Sequence, residues 1–353
     1  MIKIIRKVFK YKEQINAKKV ILVLILLTIL FIVFVGGLMV SIKWSQPRDL
    51  IMNVYKSIFR KDIFETINQI HLETDVSSLI TIKSEQDVIE RRKKLVNIIW
   101  KGQGFPTRIP DEVKRDITDE RFSDLRNLKR IDEITTLMEY GLDSIIYHFH
   151  PIKENGELVI YQQGHSGGFI LGKETIDFFL DKGYSVIASA MPVLGMNSQP
   201  VVDLKRFGVM KLEHHDLFIF LETDEISPMK FFLEPIARVL NSVDYEHIYM
   251  VGISGGACVA VLYSALDTRI DKSYQVAGSQ PIFVRNVSGK GDYEETLFEV
   301  YNVANYLELY IMGSLGRRQL QIFNKYDPIG FEGIGYQLYE KEVKKLVRDL
   351  MFI

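Results

Sequence analysis

Ile248-Tyr249-Met250-Val251-Gly252-Ile253-Ser254-Gly255-Gly256 is the stretch whose reading decides the fold. Four apolar residues predict a buried strand, and the run Ala257–Leu266 that follows is compatible with a helix. Between them lies glycine-x-serine-x-glycine. By composition alone that pattern arises in roughly one chain in ten of this length, so its value rests on the strand before it and the helix after it. A strand that turns sharply into a helix holds the central serine in a strained conformation with its hydroxyl outward. Side chains at Gly252 and Gly256 would collide across such a turn. The Ser254 hydroxyl would then lie beside a helix N-terminus, which favours developing negative charge. That makes Ser254 a candidate nucleophile, the alternative being a glycine-rich turn with an inert serine.

Working outward, apolar strands alternate with helices from about Ile131. Ile131–Tyr140 and Asp143–Phe149 read as two strands joined at Gly141-Leu142. Strands follow at Leu158–Tyr161, Tyr184–Ala190, His247–Val251, Ser273–Ala277 and Gln319–Phe323, with helices at Lys173–Lys182, Pro228–Asn241, from Gly255, and at about Tyr336–Leu350. This spacing predicts an α/β fold, a doubly wound and mostly parallel sheet with helices on both faces. Active residues of such sheets sit in loops at the C-terminal ends of the strands. Two further loops qualify. Gln163-Gly164-His165-Ser166-Gly167-Gly168 follows the strand Leu158–Tyr161, and its glycines let backbone approach a substrate. Acyl transfer needs two backbone N–H groups aimed at the oxyanion. Gly255, after the nucleophile, would give one and His165 the other. Asp327, in Phe323-Asn324-Lys325-Tyr326-Asp327-Pro328, could be the buried acid that orients a histidine, or merely a turn former.

With these residues in place, the chain from about Ile131 onward resembles the α/β-hydrolases. It is most similar to the dienelactone hydrolase and prolyl-oligopeptidase-like esterase and peptidase branches. The resemblance rests on GHSGG at 164–168, GISGG at 252–256 and the acid at Asp327. It implies a serine hydrolase working through an acyl-enzyme on a small-molecule or peptide ester or amide, without a cofactor. Gln163 stands where many members carry a histidine, a small departure because backbone does the work there.

A larger departure concerns the base. The resemblance places a histidine after the acid, but the seven histidines are His71, His148, His150, His165, His214, His215 and His247, and none follows Asp327. A serine hydroxyl without a base is a weak nucleophile. Three readings stay open. In the first, the chain belongs to a longer frame that encodes the last strand and histidine. In the second, it is a non-catalytic hydrolase fold that binds or scaffolds. Or His215 substitutes, although a solvated or locally paired role suits the His214-His215 pair better. His148 and His150 share a strand face but have no evident third metal ligand. No metal site is expected.

The chain has 353 residues, 47% hydrophobic and 25% charged, with 44 Lys+Arg against 45 Asp+Glu and a net charge of −1. That balance argues against nucleic-acid binding through bulk positive charge. The single cysteine, Cys258, excludes a disulfide framework and a Cys-rich zinc site. Residues 20–42 carry no charge over 23 positions, long enough for a helix to cross a bilayer core of about 30 Å. The first 19 residues hold seven cations and one anion. The expected arrangement is therefore a cytoplasmic N-terminus (1–19), an uncleaved transmembrane signal anchor (20–42), a polar helical cap or linker (43–130) and a hydrolase domain (131–353) outside the cytoplasm. The hydrolase domain would be incomplete at its C-terminal end. In the linker, Val88, Leu95, Ile98 and Ile99 approximate one helix face. Cys258 reads as a small core residue, and the aromatic-rich insert 281–313 as either a lid or ordinary packing.

Overall fold

A computed structural model of the chain describes Thr28, Ile67, 69–285, 291–325, Asp327, Phe331 and 333–351. The expected anchor and the basic segment before it lie outside these residues, apart from Thr28. Among the described residues no helix is long and apolar enough to cross a membrane.

Ten strands are present among the described residues: β1 Glu112–Ile117, β2 Leu128–Leu137, β3 Asp143–Pro151, β4 Glu157–Gln162, β5 Ser185–Ser189, β6 Val201–Leu204, β7 Gly208–Lys211, β8 His247–Ile253, β9 Ile270–Val276 and β10 Arg318–Ile322. Eight of them form one sheet in the order β1-β2-β3-β5-β4-β8-β9-β10, while β6 and β7 make a separate hairpin. The β1-β2, β2-β3 and β3-β5 pairs are antiparallel, and β5, β4, β8, β9 and β10 run parallel. The crossover at β4 and β5 puts the C-terminal ends of β4, β8, β9 and β10 along one edge, where ligands bind in sheets of this kind.

Burial follows the apolar runs. In β4 and β5 almost every residue is buried, because helices cover both faces of the central strands. Along β5, Val186 and Ala188 join a core with Phe122, Phe149, Ile176 and Leu180, while Ile187 joins the larger core opposite. The principal helices are α1 Glu85–Ile99, α2 Lys173–Asp181, α3 Lys230–Leu240, α4 Gly255–Leu266, α5 Tyr306–Ser314 and α6 Glu340–Met351. Every residue of α4 is buried.

Within the expected helical linker 43–130, residues 69–130 are described, and they join the main domain. Its Val88, Leu95 and Ile99 are 1%, 0% and 0% exposed and belong to the main hydrophobic core. Ser84 and Asp87 close a capping box at the start of α1. Arg91 pairs with Glu308 at 3.1 Å and Arg92 Nε donates to the Ala265 carbonyl at 2.9 Å, fastening α1 to α5 and α4. Further on, β1 pairs with β2 inside the main sheet. The sheet therefore begins before 131. The aromatic insert 281–313 resolves toward packing: Tyr293, Tyr301, Tyr306 and Tyr310 are buried. Cys258 is buried as expected.

At the other end of the sheet β10 is the edge among the described strands, and Leu320 and Ile322 are 53% and 41% exposed. A groove of about 930 Å³ lies between β10 and α6, lined by Tyr310, Tyr336, Tyr339, Val343 and Val347 among others. None of the candidate site residues lines it.

Candidate active site

Ser254 joins β8 to α4 with φ 55° and ψ −127°. Such a conformation costs a non-glycine residue of order 1–3 kcal/mol and persists only where its surroundings hold it. Here the Ser254 N–H donates to the Val276 carbonyl and its own carbonyl accepts from the Ala257 N–H, both at 2.8 Å. The loop after β4 packs straight onto this turn. A Cβ on Gly164 would fall 2.8 Å from Ser254 Cβ and 3.2 Å from Gly255 N, and one on Gly256 would fall 2.7 Å from the Gln163 carbonyl. Those glycines are required by close approach. The Gly255 and His165 backbone N–H groups have no hydrogen-bond acceptor among the described residues. Ser254, Gly255 and the His165 loop are thus brought together, with the Gly255 N–H at the start of a fully buried helix and the His165 N–H in the loop packed on it.

The His165 side chain adds something the sequence did not suggest. Its imidazole lies against Gly255, so that a Cβ there would come within 3.0 Å of Nε2 and collide with the ring. His165 Nε2 lies 2.7 Å from Glu294 Oε1 and 2.8 Å from Asp292 Oδ2. Glu294 is buried, and its second oxygen faces His215 Nδ1 at 3.3 Å. The rings of His165 and His215 are 5.1 Å apart. Burial opposes charge on His165, but hydrogen bonds to Asp292 and Glu294 outweigh it and raise its pKa to about 10. Burial likewise opposes charge on Glu294, yet the hydrogen bond with His165 and the facing His215 imidazole lower its pKa to about 2.

Asp327 is 6% exposed, in the loop after β10. That loop leaves the sheet beside the one after β9, where the Ala277 N–H donates to the Ile322 carbonyl at 2.8 Å. His215 is buried, and its Nε2 donates to the Pro192 carbonyl at 2.9 Å. With Nε2 on the Pro192 carbonyl and Nδ1 facing Glu294, His215 fits the locally paired role. His148 and His150 also have partners: His148 Nε2 meets Tyr245 Oη at 3.0 Å and His150 Nε2 meets Asp132 Oδ2 at 3.0 Å.

Asp292 and Glu294 escaped the sequence reading. They come from the insert, more than a hundred residues from His165, and their one local signal is the acidic run Asp292-Tyr293-Glu294-Glu295 in an otherwise aromatic segment.

No family model and no curated protein matches the chain. Solved structures similar to it include an acetyl xylan esterase from Paenibacillus sp. R4, at 12% identity and TM-score 0.43, covering 78% of this chain and 98% of that one. Acetyl xylan esterase 1 from Thermoanaerobacterium sp. is 12% identical at TM-score 0.46, over 81% and 99% of the two chains. An esterase of Pyrococcus furiosus is 15% identical at TM-score 0.42, over 70% and 86%. Identities and scores this low speak to neither substrate nor activity. The chain's own strand order, the strained serine between β8 and α4, and the glycine loop packed against it are those of an α/β-hydrolase fold.

Proposed function

We propose that the chain is a serine hydrolase that forms an acyl-enzyme on Ser254 from a carboxylic ester, with amides as the second substrate class. The observation that carries this is the strained Ser254 at the N-terminus of a buried helix, with the Gly164 loop against it. In this reading the Gly255 and His165 backbone N–H groups stabilise the tetrahedral oxyanion. One such donor is worth about 10²–10³ in kcat. Asp327 is the acid that orients the general base. His165 contributes backbone only, because its Nε2 is already taken up by Glu294 and Asp292 at 2.7 and 2.8 Å. We further propose that residues 20–42 tether the enzyme to a bilayer with 1–19 on the cytoplasmic side.

A binding-only reading is favoured by one observation, that among the described residues no histidine is hydrogen-bonded to the Ser254 hydroxyl. Reaction with a fluorophosphonate, mapped by peptide mass spectrometry, separates the two. The hydrolase reading expects an adduct on Ser254 that is lost in Ser254→Ala while the melting temperature is kept. No adduct on Ser254 in the folded chain would leave the binding-only reading standing.

A further inference from the structure

We propose that His165, His215, Asp292 and Glu294 form a binding site for one divalent first-row transition-metal ion, of which zinc is the simplest probe. Each of the four offers one ligand atom, and these atoms all lie within 4.8 Å of one another. Metal–nitrogen and metal–oxygen bonds of about 2.0–2.2 Å put the ligand atoms of a tetrahedral site roughly 3.3–3.6 Å apart. The recorded separations, 2.7 and 2.8 Å from His165 Nε2 to Glu294 Oε1 and Asp292 Oδ2 and 3.3 Å from His215 Nδ1 to Glu294 Oε2, lie within an ångström of that, and the widest pair of ligand atoms, at no more than 4.8 Å, closes on an ion by side-chain rotation.

The independent observation is on the buried side of the cluster. His215 and Glu294 are 4% and 2% exposed. His215 Nδ1 and Glu294 Oε2 have no hydrogen-bond partner, although they face each other. His215 Nε2 donates to the Pro192 carbonyl, so in the neutral ring Nδ1 carries a bare lone pair. That lone pair points at a carboxylate oxygen, an arrangement that is repulsive unless a cation lies between them. A ring N–H held by a backbone carbonyl while the other nitrogen faces inward is also the way metal-ligating histidines are oriented.

Charge agrees with this. Among the described residues, no lysine or arginine pairs with Asp292 or Glu294, and Arg285 nearby is taken by Glu295 at 2.9 Å. Two carboxylates and two neutral imidazoles suit a divalent ion of borderline softness. Asp292 and His165, at 43% and 29% side-chain exposure, leave a way in from solvent. The site borders the Ser254 turn through His165 but does not depend on whether Ser254 reacts. The competing occupant is a proton shared by the imidazoles and carboxylates.

The full chain, purified in detergent through a tag that does not bind metal and stripped with a chelator, is titrated with zinc against a fluorescent competitor and separately with cobalt. The proposal expects one equivalent of zinc, a cobalt visible band typical of low coordination number, and at least tenfold weaker binding in Asp292→Asn and in Glu294→Gln. Asp292 is half-exposed, so that variant keeps its melting temperature in chelator even if Glu294→Gln does not. Ser254→Ala binds as the parent does. Absence of saturable zinc binding, or binding unchanged in Asp292→Asn and in Glu294→Gln, would overturn the proposal and leave the cluster to a proton.

Discussion

Gly164 has no side chain because there is no room for one: its Cβ would enter contact with Ser254 Cβ at 2.8 Å. Gly164→Ala must therefore push the loop off the turn, losing about 1–3 kcal/mol of stability. Its Ser254 adduct yield should fall further than stability explains, because the His165 N–H moves with the loop. Denaturant midpoints beside adduct yields at one temperature check both. Ser254 and this loop were legible because their chemistry is local, written in a few adjacent residues. Asp292, Glu294 and the imidazole of His165 were not, because two segments more than a hundred residues apart converge and no spacing in the sequence records it.

His148 gives a pH prediction. Burial, with His150 and Arg130 adding to it against the opposing Asp132, lowers its pKa from 6.5 to about 3. Tyr245 Oη holds its Nε2. Between those values the unfolded chain binds a proton that the native ring refuses, so stability declines as pH falls from about 6.5 toward 3. The drop in melting temperature from pH 7.5 to pH 5 should be smaller in His148→Gln than in the parent. An equal drop would show that His148 does not carry that part of the acid sensitivity.

Among the elements, α1 is the one whose role changed most between sequence and structure. Leu95 is fully buried in the main core. Leu95→Ala should cost about 2–5 kcal/mol, whereas a residue in a solvated linker would change stability by about 0.5 kcal/mol at most. Chemical denaturation of the two proteins decides which. The apolar face of α1 could be read from its spacing, but what it packed against could not. The strand β1, Glu-Val-Lys-Arg-Asp-Ile, is exposed in all but its last residue. Charged side chains guard sheet edges in this way, and they erase the alternation by which a strand is read. The central strands were plain because burial on both faces demands unbroken apolar runs.

Across the molecule, the mostly parallel sheet could be read from apolar strands alternating with helices, and a parallel sheet gathers its loops at one edge. The aromatic insert was placed between a lid and packing; it packs, and also delivers Asp292 and Glu294 to His165. The proposed anchor makes its own prediction. The full chain should stay in the membrane pellet after alkaline carbonate extraction, and a chain starting at residue 43 should be released. Release of the full chain by carbonate would remove the anchor.

The central claim is that Ser254 takes the acyl group. Its most direct test is to expose the full chain to an activated acyl ester, quench with acid and read the mass of the peptide containing Ser254. The account predicts an acyl adduct on Ser254 that disappears in Ser254→Ala. An unmodified Ser254 peptide, or ester turnover equal in Ser254→Ala and the parent, would contradict it.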